Sequence, residues 1–167
     1  MNARWLWLVL FVLAIGLFLA DFAHCVPRLP ARVATHFGAG GQADGWGTKE
    51  ELVHAVLATA AMIAVVSLLM PMMVGLLPIS LLNMPNADYW RAPERAATTK
   101  EILLHQVGWL SGATMLLGVG VLDSMLRANL QAPPIFGGVF LYLGLYFGYL
   151  VIWLVEMIWR FRLPKVV

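Results

Sequence analysis

Four long apolar stretches dominate the sequence, and each has the length of a membrane span. They cover about residues 5–23, 51–80, 103–126 and 134–159. A helix needs about 20 apolar residues to cross the hydrocarbon core of a bilayer. A span of this kind crosses as a helix because every backbone hydrogen bond is then satisfied within the segment. The sequence therefore predicts an all-α membrane protein with four transmembrane helices, in contact with the lipid bilayer.

The composition supports this class and excludes others. Of the residues, 61% are hydrophobic and 12% charged, whereas about 25% are charged in soluble domains. The net charge of +2 is too small and too scattered for a nucleic-acid-binding surface, so no nucleic-acid partner is expected. One cysteine, Cys25, excludes an internal disulfide framework.

An alternative interpretation of the first apolar stretch is a secretory signal that is cleaved off. Arg4 precedes the stretch, and Asp21, His24 and Cys25 stand at its far end. Cleavage after Ala23 would put Asp21 where the signal requires a small residue. We therefore expect a retained transmembrane helix.

The polar segment between the first two spans, residues 24–48, is rich in glycine and proline. This composition is typical of turns rather than regular structure, and it predicts a loop with tight corners. We expect Phe37 and Trp46 to order the loop by burying their rings against the helix ends. Thr48 and Glu51 form a capping box that predicts the start of the second helix.

The other features outside the spans concern the second loop, one proline and the tail. Residues 83–102 form a second loop, in which Pro93 is suited to the first position of a helix that begins as an amphipathic turn at the membrane surface. Pro71 predicts a kink in the second helix. Trp90 and Trp109 are expected at the membrane interface, and residues 160–167 form a basic tail.

The distribution of lysine and arginine predicts the orientation, because cytoplasmic loops carry the excess. With the amino terminus inside, seven of these residues face the cytoplasm and four face outward. Both termini and residues 83–102 are then cytoplasmic, and the Gly/Pro-rich loop is extracytoplasmic. The inner set is Arg4, Arg91, Arg95, Lys100, Arg160, Arg162 and Lys165, and the outer set is Arg28, Arg32, Lys49 and Arg127.

One run of residues in the outer loop forms a recognisable motif, which consists of Leu29, Pro30, His36, Phe37, Gly41, Asp44, Gly45, Trp46, Gly47 and Lys49. It resembles the signature of DUF1648, a domain of unknown function in bacterial membrane proteins. Ala34 departs from it, because the family usually has proline there. The resemblance implies a bacterial cytoplasmic (inner) membrane protein, distantly similar to the SdpI type of toxin-immunity and signalling proteins. It implies no catalytic residue.

Acids and histidines are concentrated near the same membrane face. Asp21 and His24 are spaced to share a helix face, and so are Glu50 and His54. One hypothesis is a zinc or copper site, since these ions accept imidazole and carboxylate ligands. The alternative is that polar residues meet water at helix ends and fasten the loop by hydrogen bonds. The candidate metal ligands are His24, His36, His54, Asp21, Asp44 and Asp123.

The third and fourth helices carry patterns typical of helix packing. Small residues four positions apart let helices approach closely, as at Gly108 and Gly112 and at Gly144 and Gly148. An aromatic stripe on the fourth helix is expected to be its packing face, with a cofactor or lipid slot as the alternative. The stripe contains Tyr142, Tyr146, Tyr149 and Trp153 and continues to Glu156 and Arg160.

The motifs of common enzyme classes are absent from the sequence. It has no phosphate-binding glycine motif with its lysine, no Gly-x-Ser-x-Gly, no Cys-x-x-Cys and no His-Glu-x-x-His. We therefore expect a non-enzymatic interaction protein, which is either an accessory subunit of a larger membrane complex or an immunity or sensing protein. The alternative is a protein that binds zinc or copper, or handles a small solute, through the outer acids and histidines.

Overall fold

The computed structural model describes residues 6–131, 133–134 and 136–163. It contains five α-helices, two single turns of 3-10 helix at Val26–Arg28 and Ile79–Leu81, and one two-stranded sheet. In chain order these are α1 (Leu6–Cys25), β1 (Arg32–Phe37), β2 (Ala43–Thr48), α2 (Lys49–Leu76), α3 (Ala87–Trp90), α4 (Ala96–Ala128) and α5 (Val139–Arg160).

Four of these helices, α1, α2, α4 and α5, are long and apolar enough to cross a membrane. The predicted all-α membrane protein with four spans is therefore confirmed. Arg4 and Lys165, on which the predicted orientation partly depends, lie outside the described residues, as does the second half of the basic tail, residues 164–167.

Helix α4 is the centre of the fold, because α1, α2 and α5 each pack extensively against it. Glycines on α4 make room for each neighbour. A Cβ atom at Gly108 would lie 2.8 Å from the Trp7 ring of α1, and one at Gly118 would lie 2.8 Å from Ile63 of α2. A Cβ atom at Gly120 would lie 2.5 Å from the Tyr142 ring of α5. The absence of side chains at these points sets how closely the helices approach.

The helix ends differ from the sequence prediction in three places. Helix α2 continues through Pro71 and ends at Leu76. The predicted surface turn and the third span form one helix of 33 residues, and it begins at Ala96, so Pro93 is not its first residue. At about 1.5 Å per residue it is roughly 50 Å long and exceeds the ~30 Å hydrocarbon core. Helix α5 begins at Val139 rather than near residue 134.

The prediction of an irregular loop between α1 and α2 was wrong, because the segment contains an antiparallel β-hairpin. Arg32 pairs with Thr48 and Phe37 with Ala43, and the register is irregular on both sides of His36. We call residues 32–48 the hairpin. The end of the bundle that carries it is the hairpin end, and the other is the opposite end.

The predicted capping box is confirmed at the junction of the hairpin and α2. The Glu51 N–H donates to Thr48 Oγ1 at 3.2 Å, and the Thr48 N–H donates to Glu51 Oε2 at 2.8 Å. This reciprocal pair satisfies backbone donors that a helix start leaves free. Helix α2 therefore begins directly at the end of β2.

The opposite end is closed by residues 77–95, which pack around the chain just after α5. Phe161 is fully buried, in a cluster with Val74, Leu82 and Leu103. Its carbonyl oxygen accepts from the Asn86 side chain at 2.7 Å and from Trp90 Nε1 at 2.9 Å. This loop is thereby linked to the end of α5.

Candidate functional site

The hairpin is fixed to the bundle by one side chain at the end of α4. Asn129 is 3% exposed. Its Oδ1 accepts from the Ala34 N–H at 2.6 Å, and its Nδ2 donates to the Ala34 carbonyl at 3.0 Å. Ala34 is fully buried in β1, and one amide side chain thus satisfies both of its backbone groups.

A second contact joins the hairpin turn to the segment between α4 and α5. The Phe136 N–H donates to the Gly41 carbonyl at 2.8 Å, and the Phe37 and Phe136 rings stack with centroids 5.2 Å apart. Gly41 has φ +75, and a Cβ atom there would lie 3.1 Å from the Phe136 carbonyl oxygen. Glycine meets both the backbone conformation and the close approach.

The other motif residues shape the hairpin itself. A Cβ atom at Gly45 would lie 2.8 Å from His36 Cβ, and one at Gly47 would lie 2.5 Å from Glu51 Oε2. These glycines let β2 lie against β1 and leave space for the capping glutamate. Leu29 is buried in the core at the hairpin end, whereas Pro30 is exposed.

Lys49 closes the base of the hairpin. Its backbone N–H donates to the Ala31 carbonyl at 3.1 Å, and its Nζ donates to the Leu29 carbonyl at 3.5 Å. The motif thus supplies the turn, the close strand contacts and the junctions with both helices.

The expected burial of both aromatic rings is correct only for Phe37, which is half-buried. Trp46 is 46% exposed, because β2 places it on the same face as Asp44 and Thr48, away from the core. The Arg32 guanidinium lies 5.3 Å from its ring centroid. The hairpin therefore presents a cation and an aromatic ring together at its surface.

His36 and Asp44 do come together, as a pair on the hairpin surface. His36 Nδ1 lies 2.5 Å from Asp44 Oδ1, and the two side chains are 73% and 54% exposed. An exposed pair of this kind contributes little to stability.

Two acids within the helices form a separate acid–arginine cluster, which consists of Asp21, Asp123 and Arg127. Arg127 Nη2 donates to Asp21 Oδ1 at 2.5 Å, and Arg127 Nε donates to Asp123 Oδ1. The Tyr142 hydroxyl lies 3.4 Å from Asp123 Oδ2, and the buried Cys25 thiol lies 3.6 Å from Asp21 Oδ1. The cluster links α1, α4 and α5 near the hairpin end.

The structure does not bring the six candidate metal ligands together in one place. In the described part of the chain, no three His, Cys, Asp or Glu side chains are placed to hold a metal ion. His24 contacts Arg28 and His54 is exposed. His36 and Asp44 belong to the hairpin pair, and Asp21 and Asp123 are held by Arg127. Zinc and copper thus have no assembled ligand set here.

The aromatic stripe of α5 is its packing face, as predicted. The Tyr142 ring lies over Gly120, the Tyr146 hydroxyl lies 2.8 Å from Thr114 Oγ1, and Trp153 Nε1 donates to the Gln106 carbonyl at 2.9 Å.

Farther along α5, Tyr149 lines a small cavity of about 150 Å³ next to His105 and Gln106. Glu156 pairs with Arg160 at 2.7 Å.

The predicted glycine pairs divide into two kinds. Gly108 and Gly112 on α4 receive Trp7 and Leu10 of α1, so this pair packs within the chain. Gly144 and Gly148 on α5 have no atom within 4 Å of an added Cβ among the described residues. That side of α5 is free.

Three polar features were missed by the sequence analysis. In the sequence, Asn129 is an ordinary polar residue after a helix end. Nothing near it indicates that its partner is Ala34, 95 residues away. Gln106, by contrast, is a polar residue in an apolar helix, which signals a buried partner. It lines the same small cavity as Glu156, and Trp109 Nε1 donates to His105 Nε2 at 3.1 Å.

No curated protein and no solved structure matches the chain. A family model does match residues 7–63, and its description is a domain of unknown function, DUF1648. The match covers nearly all of α1, the whole hairpin and the first half of α2, which includes every motif residue described above. Residues 7–63 of this membrane protein therefore form a DUF1648 domain.

Proposed function

We propose that this protein is a non-enzymatic integral membrane interaction protein, and that it binds another membrane protein through the free side of α5. Its biological role would be that of an accessory subunit of a larger complex or of an immunity or sensing protein. The observation that carries the proposal is the open pair Gly144 and Gly148, which lies on α5, the least buried of the four candidate spans among the described residues.

The spacing of these glycines favours a helix as the partner. Residues four apart lie one above the other on a helix face, and small residues there permit close backbone approach. Inside the chain, Gly108 and Gly112 already receive α1 in this way. Gly144 and Gly148 present the same arrangement with no neighbour in the described part of the chain.

The test is purification of the full-length protein in mild detergent from its own membrane. A Gly144→Leu/Gly148→Leu variant fills the open side of α5. Gly16→Leu is the matched control, because Gly16 on α1 also has nothing within 4 Å among the described residues. We expect one membrane protein to copurify in fixed proportion with the parent and the control and to be lost from the double variant. An identical set of copurifying proteins in all three samples would refute the proposal.

We further propose the orientation predicted from the lysine and arginine count, with both termini in the cytoplasm of a bacterial cell and the hairpin outside its cytoplasmic membrane. Cys25 is fully buried, so the native thiol gives a low background for labelling. Gly40→Cys places a thiol at an open position of the hairpin turn. It should react with a membrane-impermeant maleimide in intact cells, and reaction only after lysis would show the inverse orientation.

Zinc or copper binding and small-solute handling through the outer acids and histidines are not proposed. The ligands that this alternative requires are separated in the described residues. The interaction role depends on none of them.

A further inference from the structure

A cavity of about 580 Å³ lies at the opposite end, where α5 finishes beside the loop that contains α3. Its walls are aromatic and its rim is basic. Tyr89, Trp90 and Ile102 line one side, and Trp159, Arg160 and Arg162 line the other. Tryptophan and tyrosine collect where a span meets the headgroup region of a bilayer, and we therefore assign the cavity to headgroup depth.

The charge of this cavity is positive. Arg160 is paired with Glu156, which accepts from its Nε at 2.8 Å. Arg162 lies 4.6 Å from the centroid of the Trp159 ring. Within the described part of the chain, no carboxylate pairs with Arg162. Its guanidinium thus keeps its hydrogen-bond donors available for an anion.

A second, mostly apolar groove lies along α5. It has a volume of about 500 Å³ and is lined by Val151, Ile152, Val155, Glu156 and Trp159. Trp159 lines both spaces, so the groove and the basic rim are neighbours on α5. The combined shape has a cationic head and an apolar tail.

We propose that this cavity and groove bind one anionic phospholipid, with its phosphate at Arg162 and Arg160 and an acyl chain along Val151 and Val155. Arginine binds phosphate through several parallel N–H donors, and basic pockets at the ends of membrane helices bind anionic headgroups. The apolar groove favours a lipid over free phosphate because only the lipid fills both parts. The lining of the site does not include Gly144 and Gly148, although Val151 and Val155 continue the face of α5 that carries these glycines. The inference goes beyond the proposed interaction role.

The experiment is a lipid titration of the full-length, delipidated protein in detergent, with bound lipid counted by native mass spectrometry. We expect phosphatidylglycerol to bind at least about fivefold more tightly than phosphatidylcholine, since this is the effect of about one cation near a membrane surface. Arg162→Gln should abolish the preference. Arg32→Gln should keep it, because Arg32 also lies over a tryptophan ring but at the hairpin end.

The groove has its own matched pair of variants. Val155→Trp should weaken the binding of phosphatidylglycerol, while Val12→Trp on α1 should not, and the two valines are similarly exposed at 61% and 65%. Equal lipid retention by Arg162→Gln and Arg32→Gln would overturn the site. Displacement of the lipid by inorganic phosphate at equal concentration would overturn the assignment to a phospholipid.

Discussion

The Asn129 side chain forms two hydrogen bonds with the backbone of Ala34, although 95 residues separate them. One amide group thus takes the place that a third strand would have beside β1. The bonds are buried, so water cannot replace them when they are lost. The position of the hairpin on the bundle therefore depends on a residue outside the DUF1648 domain.

The Asn129 contact predicts a loss of stability on truncation. Asn129→Ala leaves a buried N–H and a buried carbonyl without partners, which should lower the free energy of unfolding by about 1–3 kcal/mol. Amide exchange at Ala34 should accelerate in the same variant. Gln131→Ala, at an exposed position two residues later, should change neither quantity. Unchanged protection of Ala34 in Asn129→Ala would show that the hairpin is held elsewhere.

The backbone donor of Ala34 predicts that proline is unfavourable at this position, even though proline is usual in the family. Ala34→Pro removes the N–H that donates to Asn129. We expect the free energy of unfolding to fall by about 1 kcal/mol or more, and to fall less when Asn129→Ala is already present. A double-mutant cycle in detergent measures this coupling. Strictly additive effects would contradict it.

The turn of the hairpin predicts that alanine lowers stability at one of two adjacent glycines and leaves it unchanged at the other. Gly41→Ala places a side chain at φ +75 and 3.1 Å from the Phe136 carbonyl oxygen, and should destabilise the protein by about 1–2 kcal/mol. Gly40→Ala meets open space and should be neutral. The measurement is the melting temperature of each variant, determined by thermal unfolding under the same conditions. Equal melting temperatures would disprove the contact with Phe136.

The interface of α4 and α5 predicts a strong effect at Gly120. An added Cβ atom would lie 2.5 Å from the Tyr142 ring, so Gly120→Ala should overpack the interface and cost about 1–3 kcal/mol. Gly144→Ala, on the free side of α5, is the control. The native side chains of Ala113 and Leu145 line one cavity between these helices, so the pair Ala113→Cys and Leu145→Cys reports their distance by disulfide crosslinking. The crosslinking rate should fall when Gly120→Ala is added to this pair and stay unchanged when Gly144→Ala is added. Equal rates would mean that α5 does not rest on Gly120.

The features that the sequence predicted correctly are the local ones. The four spans follow from length and apolar content, and the capping box follows from Thr48 and Glu51 because its partners are three residues apart. The aromatic stripe on α5 follows from helical periodicity. Each of these signals is contained within one segment.

The hairpin was not predicted because the sequence of its strands has a low propensity for β-structure. Strand β2 reads Ala-Asp-Gly-Trp-Gly-Thr, and glycine and aspartate are poor strand formers. Its pairing is supported by Asn129 and Phe136, which join the fold from distant parts of the chain. The pairing of Arg127 with Asp21 is likewise not evident from the sequence, because the two residues lie far apart in the chain.

The central place of α4 has a consequence for biosynthesis. Residues 7–63 are made first, yet the surfaces of α1 and α2 find their main packing partner in a helix that starts at Ala96. Until α4 and Asn129 have been synthesised, the two early spans lack this partner and the hairpin lacks its hydrogen bonds to Asn129. We therefore expect that grafting residues 7–63 into another protein would require a substitute for the surface of α4.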